Sequence, residues 1–266
     1  MQITTIDMAQ ISIETIGGVI TLLFAMIILL NHRKNRVSKY FIALFIVTSL
    51  IFFSEALVYY FRGNTDMFSL FGNRAGNFIG FILNVVLAIL FNRFIRVLLE
   101  ERGVIVSPYY KRGILFVAVV AVGIVVLNLF TEWMYYFDVA NRYHRASMWY
   151  FYTLLCFFML LTGMIISIKN HKTFGTRMCI AVVIFVFVPI VSVVIQAHFY
   201  GISIVNIGLA ISVILMFFTY LYDWNKHEKG IHETVSGENK IINTFVMFFI
   251  MAICISASIV SCIIFI

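Results

Sequence analysis

Two groups of residues in this chain have side chains suited to chemistry. The first is the stretch FDVANRYHRASMWYFY, residues 137–152, where Asp138, Asn141, Arg142, His144 and Arg145 stand among aromatics that include Trp149. Paired guanidiniums suit a carboxylate or phosphate, and the rings beside them offer stacking, so the stretch presents an anion-binding surface. The second group is scattered: Glu55, Asn84, Asn128, Gln196, His198 and Asn206 each interrupt or border an apolar run. Within hydrocarbon such a side chain must pair with a neighbour or line a wet cavity. Glu55 carries most weight, because an unpaired carboxylate there costs several kcal/mol.

Catalysis has no visible carrier. The sequence contains no GxxxxGK[ST] phosphate loop, no HExxH pair, no GxSxG elbow and no paired aspartates within an apolar run. His227, Glu228, His232 and Glu233 lack a clean i, i+4 ligand pair and read as part of a solvated linker. The four cysteines, Cys156, Cys179, Cys254 and Cys262, all lie in apolar runs without a CxxC pair and read as small hydrophobes. The chain is therefore expected to be neither an enzyme nor a metal or cofactor carrier.

These residues need elements to position them. Of 266 residues, 62% are apolar and 12% charged, too little polar surface for a soluble globule of this size and the composition of an integral membrane protein. Spanning about 30 Å of hydrocarbon takes about 20 apolar residues. Eight stretches qualify, at 12–31, 39–61, 76–99, 112–133, 148–168, 177–199, 202–222 and 242–266. They are continuously apolar, unlike the alternating strands of a barrel, so the expected fold is an all-α polytopic bundle. Residues 1–224 form a seven-helix module, 225–241 a linker and 242–266 a C-terminal span. Without a basic leader segment or a cleavage site, the first run is read as a helix that stays in the protein.

Basic residues set the expected orientation, because cytoplasmic loops keep Lys and Arg. Fifteen lie in or beside the odd-numbered loops, and four (Arg62, Arg74, Arg142 and Arg145) in the even ones. Both termini are thus expected outside, with residues 137–152 in an extracytoplasmic loop. The net charge of +7 then reflects loops facing an anionic leaflet and gives no reason to infer nucleic-acid binding.

Because successive helices alternate in direction, Glu55, Asn84, Asn128, Gln196, His198 and Asn206 all fall in the outer half, with the inner half comparatively bare. Glu55, about 8 Å from its helix end at 1.5 Å per residue, is the one acid placed well inside a span. Each amide can be read as an interhelical hydrogen bond, and the set together as an outer polar cavity. Pro189 frees a carbonyl one turn earlier and either bends its helix around that cavity or packs without a role.

The stretches YYFDVANRYHRASMWYFY and PIVSVVIQAHFYGISIVNIGLAISVILMFFTYLYDW resemble the multispanning N-terminal sensor region of diguanylate cyclases and related signalling proteins of Firmicutes, especially clostridial ones. Phe137, Asp138, Asn141, Tyr143 and Arg145 match the segment that in the family precedes helix 5, although Ala146 stands where a glycine is usual. Gln196, Tyr200, Gly201 and Ile202 match the family's element joining helices 6 and 7. The resemblance spans about residues 12–224 and implies a seven-helix sensory module in a bacterial cytoplasmic membrane. The cyclase domain and its Gly-Gly-Asp-Glu-Phe signature are absent from the sequence, so cyclase activity is not implied. The expectation is a sensor-like or regulatory protein that contacts lipid, a small extracytoplasmic ligand that can carry an anionic group, and a separate signalling protein. Its pocket would be lined by Glu55, Asn84, Asn128, Gln196 and Asn206, with Asp138, Asn141, Arg142, His144, Arg145 and Trp149 at the mouth. A small-solute permease and a non-catalytic scaffold subunit are the alternatives.

Overall fold

The computed structural model describes residues 4–30, 35–198 and 203–228, with side chains through 196 and from 203 to 223. In chain order the elements are α1 (Thr5–Leu30), α2 (Arg36–Phe61), α3 (Met67–Glu101), α4 (Pro108–Thr131), β1 (Tyr135–Phe137), β2 (Tyr143–Arg145), α5 (Ser147–Lys169), the single turn α6 (His171–Phe174), α7 (Thr176–His198) and α8 (Val205–Glu228). Seven of these helices are long and apolar enough to cross a membrane. The chain is an all-α integral membrane bundle with one small hairpin. The expected eighth span, 242–266, and most of the linker before it lie outside the described residues.

The helix limits follow from local chemistry. Asn35 caps α2 by accepting from Ser38 N at 2.7 Å, and Asp66 caps α3 by accepting from Ser69 N at 3.0 Å. Both satisfy donors that a helix start leaves open. Ser107 caps α4 and Pro108 occupies its first turn, where a missing N–H is harmless. Two helices begin earlier than hydropathy suggests, α1 at Thr5 rather than 12 and α3 at Met67 rather than 76. In α1 the added turns are mixed polar (TIDMAQI), and in α3 they run MFSLFGNRA, mostly apolar at first and polar from Asn73.

One compact unit runs from Met1 to Phe217; a second, Phe218–Ile266, is described only over its first residues, as the end of α8. In the first unit, α1 packs on α2, α2 on α3, and α3 on both α4 and α5, while α5 also meets α4 and α7. Small residues allow the close approaches. Gly72, Gly76 and Gly80, one turn apart on α3, face Phe61, Val58 and Ser54 of α2; a Cβ at Gly72 would sit 2.4 Å from the Phe61 ring. Association in lipid relies on such packing because apolar burial gives little drive there.

Away from the hairpin the core is aromatic. Phe41 meets the rings of Phe94 and Phe217 edge-on at 4.8 and 5.2 Å, and Phe91 stacks on Phe185 at 4.5 Å. This half is less bare of polar groups than the sequence suggests. Asn92, buried, donates to Ala88 O and Met159 O and accepts from the Tyr110 hydroxyl, joining α3, α4 and α5.

Candidate functional site

The stretch at 137–152 forms a hairpin. Tyr135, Tyr136 and Phe137 pair antiparallel with Arg145, His144 and Tyr143, and Asp138 organises the turn: its Oδ1 accepts from Ala140 N at 3.0 Å and Arg142 N at 2.8 Å. Asp and Asn favour such turns because a short side chain can bond backbone two residues on. Asp138 Oδ2 lies 3.0 Å from His144 Nε2. That hydrogen bond, with those from the Arg142 and Ala140 amides, holds the Asp138 carboxyl below its usual range.

Asn141 is the hub of this region. It is fully buried with φ +56°, a left-handed conformation Asn tolerates better than most residues. Its amide nitrogen is directed at Phe61 O, Asn64 O and Ser69 O at 2.9–3.3 Å. Asn73 Nδ2 donates back to Asn141 O at 2.8 Å and to its Oδ1 at 3.2 Å. Asn128 plays the corresponding part at the end of α4, accepting from Met134 N and Tyr135 N and donating to Tyr135 O. Arg145 lies over the Trp149 ring at 4.4 Å, Arg74 over Phe137 at 5.8 Å, and His144 stacks on Tyr136. Arg142 is exposed. The loop's polar groups are thus spent mainly on holding the loop. Asn84, half-buried, donates to Gly80 O in its own helix.

A different set converges between α1, α2 and the α7–α8 connection. Glu14 of α1 has no solvent-exposed surface, and its Oε2 accepts from Asn206 Nδ2 at 2.9 Å. Its Oε1 has no hydrogen-bond partner among the described residues. The Ser203 side chain is within hydrogen-bonding reach of the same carboxylate. Gln10, one turn from Glu14, accepts from Ser203 N, and Gln196 of α7 accepts from Ile204 N, both at 3.3 Å. Glu55 of α2 is within electrostatic reach of Glu14 and Arg62. Arg62 pairs with Asp7 at 3.7 Å and lies over the Tyr59 ring at 5.9 Å. Of the residues singled out from sequence, Glu55, Gln196 and Asn206 belong to this cluster. Asn84, Asn128, Asp138, Asn141, Arg142, His144, Arg145 and Trp149 make their described contacts elsewhere, and the His198 side chain lies outside the described residues.

No family model, curated protein or solved structure matches this chain. The cluster's own geometry therefore carries the functional argument.

Sequence reasoning missed Asp7, Gln10 and Glu14, and Glu55 is not alone as an acid deep in a span. Starting the first span at residue 12 makes Glu14 look terminal; with α1 beginning at Thr5 it lies nine residues in, about 14 Å at 1.5 Å per residue. A signal was present. Asp7, Gln10, Glu14, Gly18, Thr21, Ala25 and Ile28 recur every three or four residues and form the buried face of α1, the spacing of one helix stripe. In a lipid-facing helix a polar and small stripe is the inward one.

Proposed function

We propose that this chain is a sensor-like or regulatory membrane protein that binds a small ligand in the Glu14–Glu55–Asn206 cluster. The observation that carries the reading is Glu14: fully buried, tied by one oxygen to Asn206 and without a partner on the other among the described residues. A buried carboxylate that serves packing alone normally has both oxygens satisfied, since an unmet buried charge is costly. The resemblance of residues 12–224 to the sensor regions of clostridial-type diguanylate cyclases supports the same role. The basic loops, crowded at the end away from the hairpin, favour a cytoplasmic position for that end, so the ligand arrives from outside. A signal leaves through the inner helix ends to a separate signalling protein.

The test is thermal stability of the purified protein against a panel of small neutral, anionic and cationic solutes. A ligand at about 100 times its Kd adds about 2.7 kcal/mol, a shift of roughly 5–10 °C for a chain of this size. At least one solute is expected to shift wild type and not Asn206→Ala. A panel with no hit, or a hit indifferent to Asn206→Ala, refutes the reading. Orientation is checked separately: Arg142→Cys is expected to react with a membrane-impermeant maleimide on intact cells.

A further inference from the structure

The helical register of α1 on α2 is fixed by three contacts. A Cβ at Gly17 would lie 2.3 Å from the Phe52 ring, Ser49 Oγ donates to Gly18 O at 2.8 Å, and Asp7 pairs with Arg62 at 3.7 Å. The same antiparallel register sets Glu14 opposite Glu55, and the two carboxylates interact electrostatically. We propose that this pair is the seat of a small singly charged cation, either a monovalent metal ion or a primary ammonium group. The proposal rests on the function argued above and names the ligand's chemistry.

The charges packed around the pair show why the ligand is positive. From α1 come Asp7 and Glu14; from α2 come Glu55, Tyr59 and Arg62. The connection into α8 and the end of α7 add the neutral Ser203, Asn206 and Gln196. Among the described residues, three carboxylates thus face one guanidinium, and that guanidinium pairs with Asp7. That one guanidinium is also within electrostatic reach of Glu55, so among the described residues the three carboxylates share a single positive charge and the Glu14–Glu55 pair keeps an excess of negative charge. Glu55 accepts no hydrogen bond from a described residue and keeps part of its surface exposed, whereas Glu14 Oε1 is wholly buried and has no donor among the described residues.

An anion would meet two carboxylates at this point and is repelled. A tightly held divalent or transition metal wants more: among the described residues no group of three His, Cys, Asp or Glu side chains is placed to hold one. Carboxylate and amide oxygens suit a hard cation, and an ammonium group can donate to both glutamates at once. A single positive charge, with one proton shared by the pair, restores local neutrality.

The test uses the full chain in nanodiscs of phosphatidylcholine, which carries no net charge, at constant ionic strength. Sodium, potassium and methylammonium chlorides are each compared with N-methylglucamine chloride, whose cation is too bulky for the cluster. At least one small cation is expected to raise the melting temperature by several degrees in wild type and in Arg142→Ala, with the shift abolished in Glu14→Gln and in Glu55→Gln. Selection between sodium and potassium identifies a metal site; a response to methylammonium alone identifies an amine site. If Glu14→Gln does not fold, Glu14→Asp keeps the charge and shortens its reach, and is expected to weaken the cation at least tenfold. No response to any small cation, or a response retained in the folded glutamine variants, overturns the proposal. A neutral or anionic solute that binds through Asn206 while no cation does overturns it and leaves the sensor reading standing; no binding in any class removes both.

Discussion

The hairpin and the α1–α2 cluster lie at the same end of the bundle and draw on the same residue types, but they differ in how completely their polar groups are met. At the hairpin, Asn141 alone is directed at three carbonyls and receives the Asn73 amide, while Asp138 accepts from two backbone amides and faces His144. In the cluster, Glu14 is just as buried, and among the described residues one of its oxygens is left without a hydrogen-bond partner. A fully satisfied network holds a fold in place, whereas a buried charge left open lowers stability unless a ligand completes it. Polar density in a sequence does not separate the two cases. Hydrogen-bond accounting does.

The sharpest way to break the comparison is Asn141→Ala. It strips donors from carbonyls of the α2–α3 connection, removes the longer of the two Asn73 amide contacts, that to Oδ1, and places a Cβ-bearing residue without an Asn side chain at φ +56°. The expected loss is about 3–5 kcal/mol, read as a fall in melting temperature. Asn141→Gly keeps the left-handed turn and is expected to recover about 1 kcal/mol of it. If both variants are as stable as wild type, the hairpin is not a structural plug.

A second, smaller effect tests the packing beneath both regions. Gly76→Ala would put a Cβ 2.8 Å from Val58 Cγ2 and 3.1 Å from the Ser54 carbonyl, and the expected cost is about 1–3 kcal/mol. Because α2 carries Glu55 on the same element, a shift in α2 is expected to weaken solute binding as well. Gly113→Ala, where nothing lies within 4 Å, is the control that leaves both readouts alone.

Glu14→Gln sharpens the contrast by its sign. Removing a half-met buried charge while keeping its shape is expected to leave the ligand-free protein as stable as wild type or more stable, by up to about 1–2 kcal/mol. Ligand-induced stabilisation disappears at the same time. The same exchange at a structural residue would cost stability, so a large destabilisation without loss of binding would put Glu14 in the class of Asn141.

The seven described spans were legible because continuous apolar runs of spanning length have few alternatives. The clustering of Glu55 with Gln196 and Asn206 was legible in part, since alternating helix direction brings those positions to one end. Three features were not. Glu14 was hidden because its helix begins in polar residues that hydropathy assigns to the loop, although the stripe from Asp7 to Ile28 marks the buried face. Asn84 and Asn128 looked like cavity residues because sequence gives depth along a helix but not the identity of a partner, and theirs lie on the same helix or just beyond its end. The hairpin followed from turn chemistry at Asp138 and Asn141 that aromatic and basic neighbours overshadowed.

The smallest effect concerns Asp138. Its folded carboxyl sits below the usual range because the folded state holds the ionised form with the His144 hydrogen bond and the Arg142 and Ala140 amides. The unfolded chain therefore takes up the proton first as pH falls, at about 3.9. The contribution is complete above that value and is lost as pH falls further through the lower folded value. Melting temperature followed from pH 6 to pH 3 is thus expected to decline at the acid end in wild type, and the part of the decline due to this turn is expected to vanish in Asp138→Asn. Because the carboxylate is exposed, the difference should be slight and confined to the acid limb. A difference of the same size at pH 6 would mean that Asn cannot form the turn, which would shift the hairpin's stability from the charge of Asp138 to its shape.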